Sequence, residues 1–382
     1  MSSESDLVFI MVENETDLKS ISMEFQNERV ISVDLEADSM YHFKEKVCLI
    51  QISTKKKTVL IDPLSIPDLS CLKPVFSDVS IKKIFHGADY DIRSLYRDFG
   101  IEINNLFDTE LACRFLGMKK TGLDAVLEEF FNVSVDKHFQ KKDWSKRPLT
   151  ADMLEYAARD TAYLSHLAEV LEEKLNRSNR MEWVSEECEL LSRVRPETDN
   201  GDPLFLRFKG AGALSPRNLA VLENLLRFRL SIAEKKDKPL FKIISNRALL
   251  KMASSPPGDM EELKTDDLLS DKQIEMYGKE ILNSIRDAKK IPFNLLPRYP
   301  KKRPPETKSH FPRKLTALKK WRDREALKLK IDPSQLVTKN QLYNLAQADP
   351  VTESDLDAVE GLKGWQKSYY GGIILMTLKK VK

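Results

Sequence analysis

The first two hundred residues alternate between strand-like and helix-like runs. Val30-Ile31-Ser32-Val33-Asp34-Leu35-Glu36 is apolar and β-branched over a strand's length, which predicts a strand. Val47–Ser53 and Thr58–Asp62 predict two more, joined through Lys55-Lys56-Lys57 as a hairpin turn, and Ile84-Phe85-His86 predicts a short fourth. Ile92, Leu95, Tyr96 and Phe99 then share one helical face, with Gly100 as a stop. After Pro148 the pattern predicts one long helix. Thr150 is its N-cap, and Leu154, Ala157, Thr161, Leu164, Ala168 and Leu171 form its buried stripe. Strands followed by helices that cover them predict an α/β domain of roughly 190 residues.

That pattern stops at the polar, turn-rich stretch from Arg195 to Pro203, and only helices are predicted beyond it. A second break, Pro297-Arg298-Tyr299-Pro300-Lys301-Lys302-Arg303-Pro304-Pro305, favours an extended basic linker. The segments flanking this linker repeat each other. A gapless shift of 93 residues aligns Leu222 with Leu315, Leu225 with Leu318, Arg229 with Arg322 and Ala233 with Ala326. It goes on to pair Leu249 with Leu342, Pro257 with Pro350 and Tyr277-Gly278 with Tyr370-Gly371. Apolar coincidences are cheap; paired Arg, Pro and Tyr-Gly at one offset are not, and they mark a duplicated helical module. The expected division is 1–195 for the α/β domain, 205–290 and 310–382 for the two copies, and 291–309 for the linker.

Composition narrows the class. Of 382 residues, 41% are hydrophobic and 32% charged, and no apolar run approaches the ~18 residues of a membrane span. The acidic N-terminus, Met1-Ser2-Ser3-Glu4-Ser5-Asp6, is the reverse of a signal peptide's basic start, so a cytoplasmic protein is expected. Four scattered cysteines argue against a disulfide scaffold or a cysteine zinc site. The net charge of +3 hides an asymmetry. Residues 1–200 hold 26 Lys and Arg against 37 Asp and Glu, so residues 201–382 carry a balance of +14. A basic half suggests polyanion binding; the acidic half must tolerate clustered carboxylates.

Asp34 and Glu36 lie two apart in a strand, so both side chains leave one face. Such a pair is common on solvated strands, but Val33 and Leu35 make this one internal. Adjacent buried carboxylates repel, and a divalent cation is the usual remedy. Asp91 opens the helix after Phe85-His86-Gly87; within that turn Asp89 is the expected cap and His86 a satisfied structural histidine. Tyr156 and Asp160, four apart, stack on one helix face, and Ala157 and Ala158 let that helix approach its neighbour closely.

In this order the three elements resemble the exonuclease motifs of the DEDD family, in its tyrosine branch. Cys48-Leu49-Ile50-Gln51-Ile52, Phe85-His86-Gly87 and Asp143-Trp144-Ser145-Lys146-Arg147-Pro148-Leu149-Thr150 are similar to ribonuclease D, and the repeated module resembles the HRDC domain. The resemblance implies an α/β exonuclease domain (a ribonuclease H-like mixed sheet with covering helices) followed by two all-α HRDC helical bundles. It implies a 3′-5′ exoribonuclease that releases nucleoside 5′-monophosphates by two-metal hydrolysis with Mg²⁺ or Mn²⁺. Asp34 would bridge two ions, Glu36 and Asp160 would complete one site, Asp91 would hold the other ion, and Tyr156 would bond the attacking water. RNA such as tRNA precursors is the implied partner, with no membrane. Lys301, Lys302, Arg303, Arg313, Lys314, Lys319 and Lys320 are the expected nucleic-acid contacts. A DNA exonuclease of the same superfamily and a non-catalytic RNA-binding scaffold are the rival readings. A chain cut near Pro297 is expected to keep hydrolysing short strands.

Overall fold

The computed structural model describes residues 8–134, 137–197, 200–265, 268–300 and 310–381; Lys301, Lys302 and Arg303 lie outside them. The chain divides into two compact units. One joins the α/β part, up to Ala37 and over Val47–Pro196, to the second helical copy. The other joins Asp38–Lys46 to the first copy.

Six strands form one mixed sheet: β1 (Phe9–Val12), β2 (Val30–Ala37), β3 (Val47–Ser53), β4 (Thr58–Ile61), β5 (Lys82–Phe85) and β6 (Leu106–Asp108). Their order is β1-β4-β3-β2-β5-β6. β3 runs antiparallel to both β2 and β4, while β1 joins β4, β5 joins β2 and β6 joins β5 in parallel. The expected hairpin closes with the amide of Thr54 donating to Lys57 O at 2.9 Å. The pattern reading misses β1 and β6, and β6 is only three residues long.

The helices of this part are α1 (Glu15–Phe25), α2 (Lys73–Ser77), α3 (Asp89–Phe99), α4 (Thr109–Phe115), α5 (Leu123–Phe131), α6 (Ala151–Ala162), α7 (Leu164–Arg177) and α8 (Met181–Ser192). Thr150 caps α6 as predicted, its hydroxyl accepting from the Met153 amide at 3.3 Å. The single long helix is two. It breaks at Tyr163 because its halves serve different cores. Tyr156, Ala157 and Ala158 of α6 pack with Leu49, Leu60 and Trp144, whereas Leu164, Leu167, Ala168 and Leu171 of α7 join the main core. Asp89 is not a cap either. Ala88 holds that position, and Asp89 instead pairs with Arg93 at 2.8 Å.

The first copy comprises α9 (Pro216–Lys236), α10 (Leu240–Ile243), α11 (Asn246–Ser254), α12 (Met260–Thr265) and α13 (Asp271–Lys290). The second comprises α14 (Phe311–Leu329), α15 (Pro333–Leu336), α16 (Lys339–Ala348), α17 (Glu353–Asp357) and α18 (Gly364–Lys379). Four of the five helix starts are 93 residues apart, as the sequence repeat requires. The first copy closes around its own core and takes in Phe43 from the Asp38–Lys46 loop. His42 Nδ1 lies 2.6 Å from Asp237 Oδ2, and the Phe43 amide donates to Asp237 Oδ1 at 3.0 Å.

The second copy has no separate core. Trp365 stacks on Trp183 of α8 at 4.7 Å between ring centres, with Phe115 edge-on to both. The Glu186 carboxylate accepts the Gly364 and Trp365 amides at the start of α18, each at 2.7 Å, and Glu187 pairs with Lys363. Arg180 donates to Phe115 O at 2.7 Å and Leu329 O at 2.9 Å, tying the ends of α4 and α14 together. Gly117, at φ +82°, lies so close to Lys330 that a β-carbon there would sit 2.0 Å from the Lys330 carbonyl oxygen. Among the described residues no helix is long and apolar enough to cross a membrane.

Candidate active site

β2 presents Asp34 and Glu36 on one face of the sheet while Val33 and Leu35 enter the main core on the other. The β2–β3 register slips between Glu36 and Ala37, a bulge of the kind that re-aims side chains beside functional sites. α6 lies on this face against β2, β3 and β4. It is fastened there by Thr161 Oγ1, 2.6 Å from Ser53 Oγ, which in turn is 2.8 Å from Thr58 Oγ1. The structure thus brings the strand and helix carboxylates together. Carboxylate oxygens of Asp34, Glu36 and Asp160 all lie within 4.8 Å of one another.

Asp91 is buried in the first turn of α3. Its placement depends on Asp108, which the sequence reading did not single out. One Asp108 oxygen accepts the amides of Gly87 at 3.0 Å, Glu110 at 2.8 Å and Leu111 at 3.1 Å; the other takes that of Ala88 at 2.9 Å. One carboxylate thus fixes the start of α3 and caps α4. Asp in a strand-to-helix turn is the available sequence signal, but nothing local shows that it also reaches back to residues 87 and 88. His86 Nδ1 is 2.9 Å from the Thr109 hydroxyl, which fits a structural role.

Tyr156 is held by rings and by a clamp. Trp144 and Phe139 flank it at 6.2 and 5.7 Å between ring centres. Arg147 anchors the loop that carries Trp144: its guanidinium grips Asp62 at 2.6 and 2.7 Å and donates to Cys48 O at 2.8 Å. Burial alone would raise the Asp62 carboxyl, but Arg147, with the Leu64 amide and the Ser65 hydroxyl, holds it below its ordinary value. The motif around Asp143–Thr150 is thus a device for seating Tyr156, whose hydroxyl bonds to Asp160.

The electrostatics match the crowding. Burial pushes Asp34 up to about 7, moderated by the Leu35 amide. Burial also holds Glu36 well above the usual carboxylate range, with further pushes from Asp34, Asp160 and Asp91. Asp91 is raised by burial and then by the charges of Asp34, Asp108 and Asp89; Asp160 is raised by burial and by Asp34. Burial and the neighbouring carboxylates raise the Tyr156 phenol, which stays protonated. No lysine or arginine figures among the groups that set these four carboxylates. An oxygen-only, uncompensated donor set suits hard divalent cations.

Of the predicted nucleic-acid contacts, Arg313, Lys319 and Lys320 are exposed on α14. Lys314 is not available. It is 8% exposed and its ammonium pairs with Asp349.

Comparison with known proteins agrees with this geometry. A family model described as a 3′-5′ exonuclease matches residues 9–176, and the HRDC domain model matches twice, over 218–285 and 313–378. Ribonuclease D of Shewanella sp. (strain ANA-3) is 30% identical over 282 residues, which cover 74% of this chain and 73% of that one. The exosome complex exonuclease RRP6 of Saccharomyces cerevisiae is 30% identical over 74% of this chain, which spans only 41% of that longer protein. The crystal structure of Escherichia coli RNase D, an exoribonuclease involved in structured RNA processing, superposes with a TM-score of 0.73 at 25% identity, covering 98% of this chain and 99% of that one. A mixed sheet with a carboxylate cluster under one helix, followed by a duplicated HRDC module, places the chain in the ribonuclease D family of 3′-5′ exonucleases.

Proposed function

We infer that this nuclease removes nucleotides from RNA 3′ ends at the Asp34–Glu36–Asp91–Asp160 cluster, with Tyr156 orienting the attacking water. The observation that carries the reading is the convergence of Asp34, Glu36 and Asp160 oxygens within 4.8 Å of one another, with no lysine or arginine among the groups that shift them. Exonucleases of this fold use divalent metal. Asp34, Glu36 and Asp160 would hold one ion, with Asp34 shared and Asp91 serving a second, Mg²⁺ or Mn²⁺ in each place. Bound there, such ions supply an activated water and neutralise charge on the leaving 3′-oxygen.

The chain's own groups do the rest. Asp34 is placed by the strand and Asp160 by a helix pinned through Thr161, so the donor set is fixed before substrate arrives. The Tyr156 hydroxyl stays protonated and donates to Asp160, which orients the phenol so that its oxygen can accept a hydrogen bond from the attacking water. The residues divide as 1–195 for the exonuclease, 205–290 and 310–382 for the HRDC copies, and 291–309 for the linker. Structured RNAs with a free 3′ end, tRNA precursors among them, are the proposed substrates, held by the basic half.

The test is hydrolysis of matched 3′-labelled RNA and DNA, with and without Mg²⁺ or Mn²⁺. Nucleoside 5′-monophosphates should appear from RNA only when metal is present. Asp34→Asn should abolish turnover with the circular dichroism unchanged; near-normal activity would refute the assignment. Tyr156→Phe should slow turnover on the order of 10- to 1,000-fold with little change in RNA affinity.

A further inference from the structure

Arg229 rises from the middle of α9 into the interior of the first copy and is 6% exposed. Its Nη1 donates to Ile244 O at 3.1 Å and to Asn246 Oδ1 at 2.7 Å, while its Nε is buried without a partner. No carboxylate among the described residues answers this charge. Burial draws the guanidinium down only to about 10, so it is cationic at neutral pH. A buried, unanswered cation is costly, and it is tolerated where something supplies the missing anion.

Beside Arg229 lies a cavity of about 320 Å³. Phe208, Leu226, Leu230 and Leu240 give it apolar walls; Lys209 and Arg207 add positive charge at its margin, and no carboxylate lines it. Lys209 is exposed and has no ion-pair partner among the described residues, whereas Arg207 is 3.3 Å from Glu197. The second copy shows what a self-sufficient version looks like. There Arg322 keeps the equivalent bond to Val337 O at 3.3 Å but is paired with Asp323 at 2.7 Å. Ninety-three residues earlier, Leu230 stands where that aspartate would be. Leu240 and the 51% exposed Phe241 likewise stand where the second copy has Pro333 and Ser334. Where the second copy has a counter-charge, the first has an apolar wall.

We propose that this cavity is a nucleotide-binding site, with the phosphate on Arg229 and Lys209 and the base against Phe208, Leu226 and Leu240. A guanidinium and an ammonium together suit phosphate. A concave apolar wall suits a flat ring, and the volume is at the small end of ligand pockets. That the anion is a nucleotide, and not another amphiphile, rests on the reading of the chain as an RNA-degrading enzyme. Its source is a free nucleoside monophosphate or one nucleotide of a strand.

Calorimetric titration of the full chain in EDTA tests the site, with 5′-AMP, adenosine and a phosphorothioate-protected RNA pentamer as probes. The expected result is that adenosine binds more weakly than 5′-AMP. Lys209→Ala and Leu230→Asp, the latter restoring the second copy's counter-charge, should each weaken a phosphate-bearing probe about tenfold. Lys209 is exposed and unpaired, so its variant is read on a folded protein, with thermal melting as the control. Weakening of 5′-AMP alone supports a free-nucleotide site, and weakening of the pentamer alone supports a strand-binding site. Unchanged affinity for both probes in both variants would overturn the proposal. Binding is read without turnover, so this result stands apart from the hydrolysis that tests the exonuclease reading.

Discussion

Gln273 donates to Ile243 O at 2.8 Å in the first helical copy, and Gln366 donates to Leu336 O at 2.7 Å in the second, 93 residues later in both partners. Arg229 and Arg322 repeat a second bond in the same way. The skeletons agree down to single hydrogen bonds, yet one copy is a self-contained unit and the other shares a core with the nuclease. The difference lies at the start of the last long helix. Lys363, Trp365 and Tyr369 of the second copy engage Glu187, Trp183 and Glu182, and the first copy has Ser270, Lys272 and Met276 at those places. One corner is used by both: the left-handed residue closing the first long helix, Asp237 or Lys330. It holds the His42 ring and the Phe43 amide in one copy and abuts Gly117 in the other. Duplication conserved the interior, and a few exposed positions then decided whether each copy stands alone.

The largest expected effect follows from cutting that shared core. Removing everything beyond Pro297 strips Trp365, Tyr369 and Tyr370 from Trp183 and Phe115 from Trp365. The structure therefore changes the expectation that such a chain keeps hydrolysing short strands: it should unfold or aggregate at moderate temperature. Trp365→Ala is the milder version and should cost about 3–5 kcal/mol, read by chemical denaturation of the unit that holds the active site. Lys272→Ala, the same position in the first copy, should change stability by less than about 0.5 kcal/mol. Equal costs for the two would mean that the second copy is as independent as the first.

Metal gives the next effect and should respect the same division. Burial and mutual repulsion raise the carboxyls of Asp34, Glu36, Asp91 and Asp160, so the metal-free folded state binds more protons than the unfolded chain. Stability from these groups is present in acid and is lost as pH rises from the ordinary carboxylate range through about 7, where Asp34 titrates. A divalent cation replaces those protons, so it should stabilise the protein more at pH 8 than at pH 5.5. A cation at roughly 100 times its Kd would add about 2.7 kcal/mol. Amide hydrogen exchange should show the gain in the sheet and in α18, which packs on α8, and not in α13 of the first copy. Equal protection of α13 and α18 would contradict the division.

Much of this was legible in the sequence because it is periodic or local. The β2 to β4 strands, the Thr150 cap and the repeat each leave a signal within a few residues or at one fixed offset. What was illegible is what depends on distant partners. Asp89 looks like a cap until Asp108, from β6, is seen to take the amides of residues 87 and 88. The stripe from Leu154 to Leu171 looks continuous because helical period says nothing about which core each half enters. Trp365 reads as an ordinary core residue, and only Trp183 and Glu186 reveal that the core is shared. The clustered carboxylates were readable for the opposite reason: placing Asp34 beside Glu36 in an internal strand violates ordinary patterning, and such violations mark candidate sites.

The smallest effect concerns the basic surface. Lys319 and Lys320 are exposed on α14 without partners among the described residues. In the first copy the same positions hold Leu226, which is buried, and Arg227, which is paired with Glu223 at 2.8 Å. If the second copy grips the RNA body, each phosphate deprived of its lysine should flatten the dependence of log affinity on log salt by about 0.7 for single strands, somewhat more for duplex. The double change Lys319→Ala with Lys320→Ala should therefore give a shallower salt titration of tRNA binding. Arg227→Ala, which removes a cation already answered by its own helix, should leave the slope where it was. Lys314→Ala makes a further contrast: its partner is Asp349, so its loss should lower the melting temperature and not the slope. Parallel slopes for the lysine pair and Arg227 would leave this face of α14 as a solvated surface, and RNA binding would then rest on other basic residues.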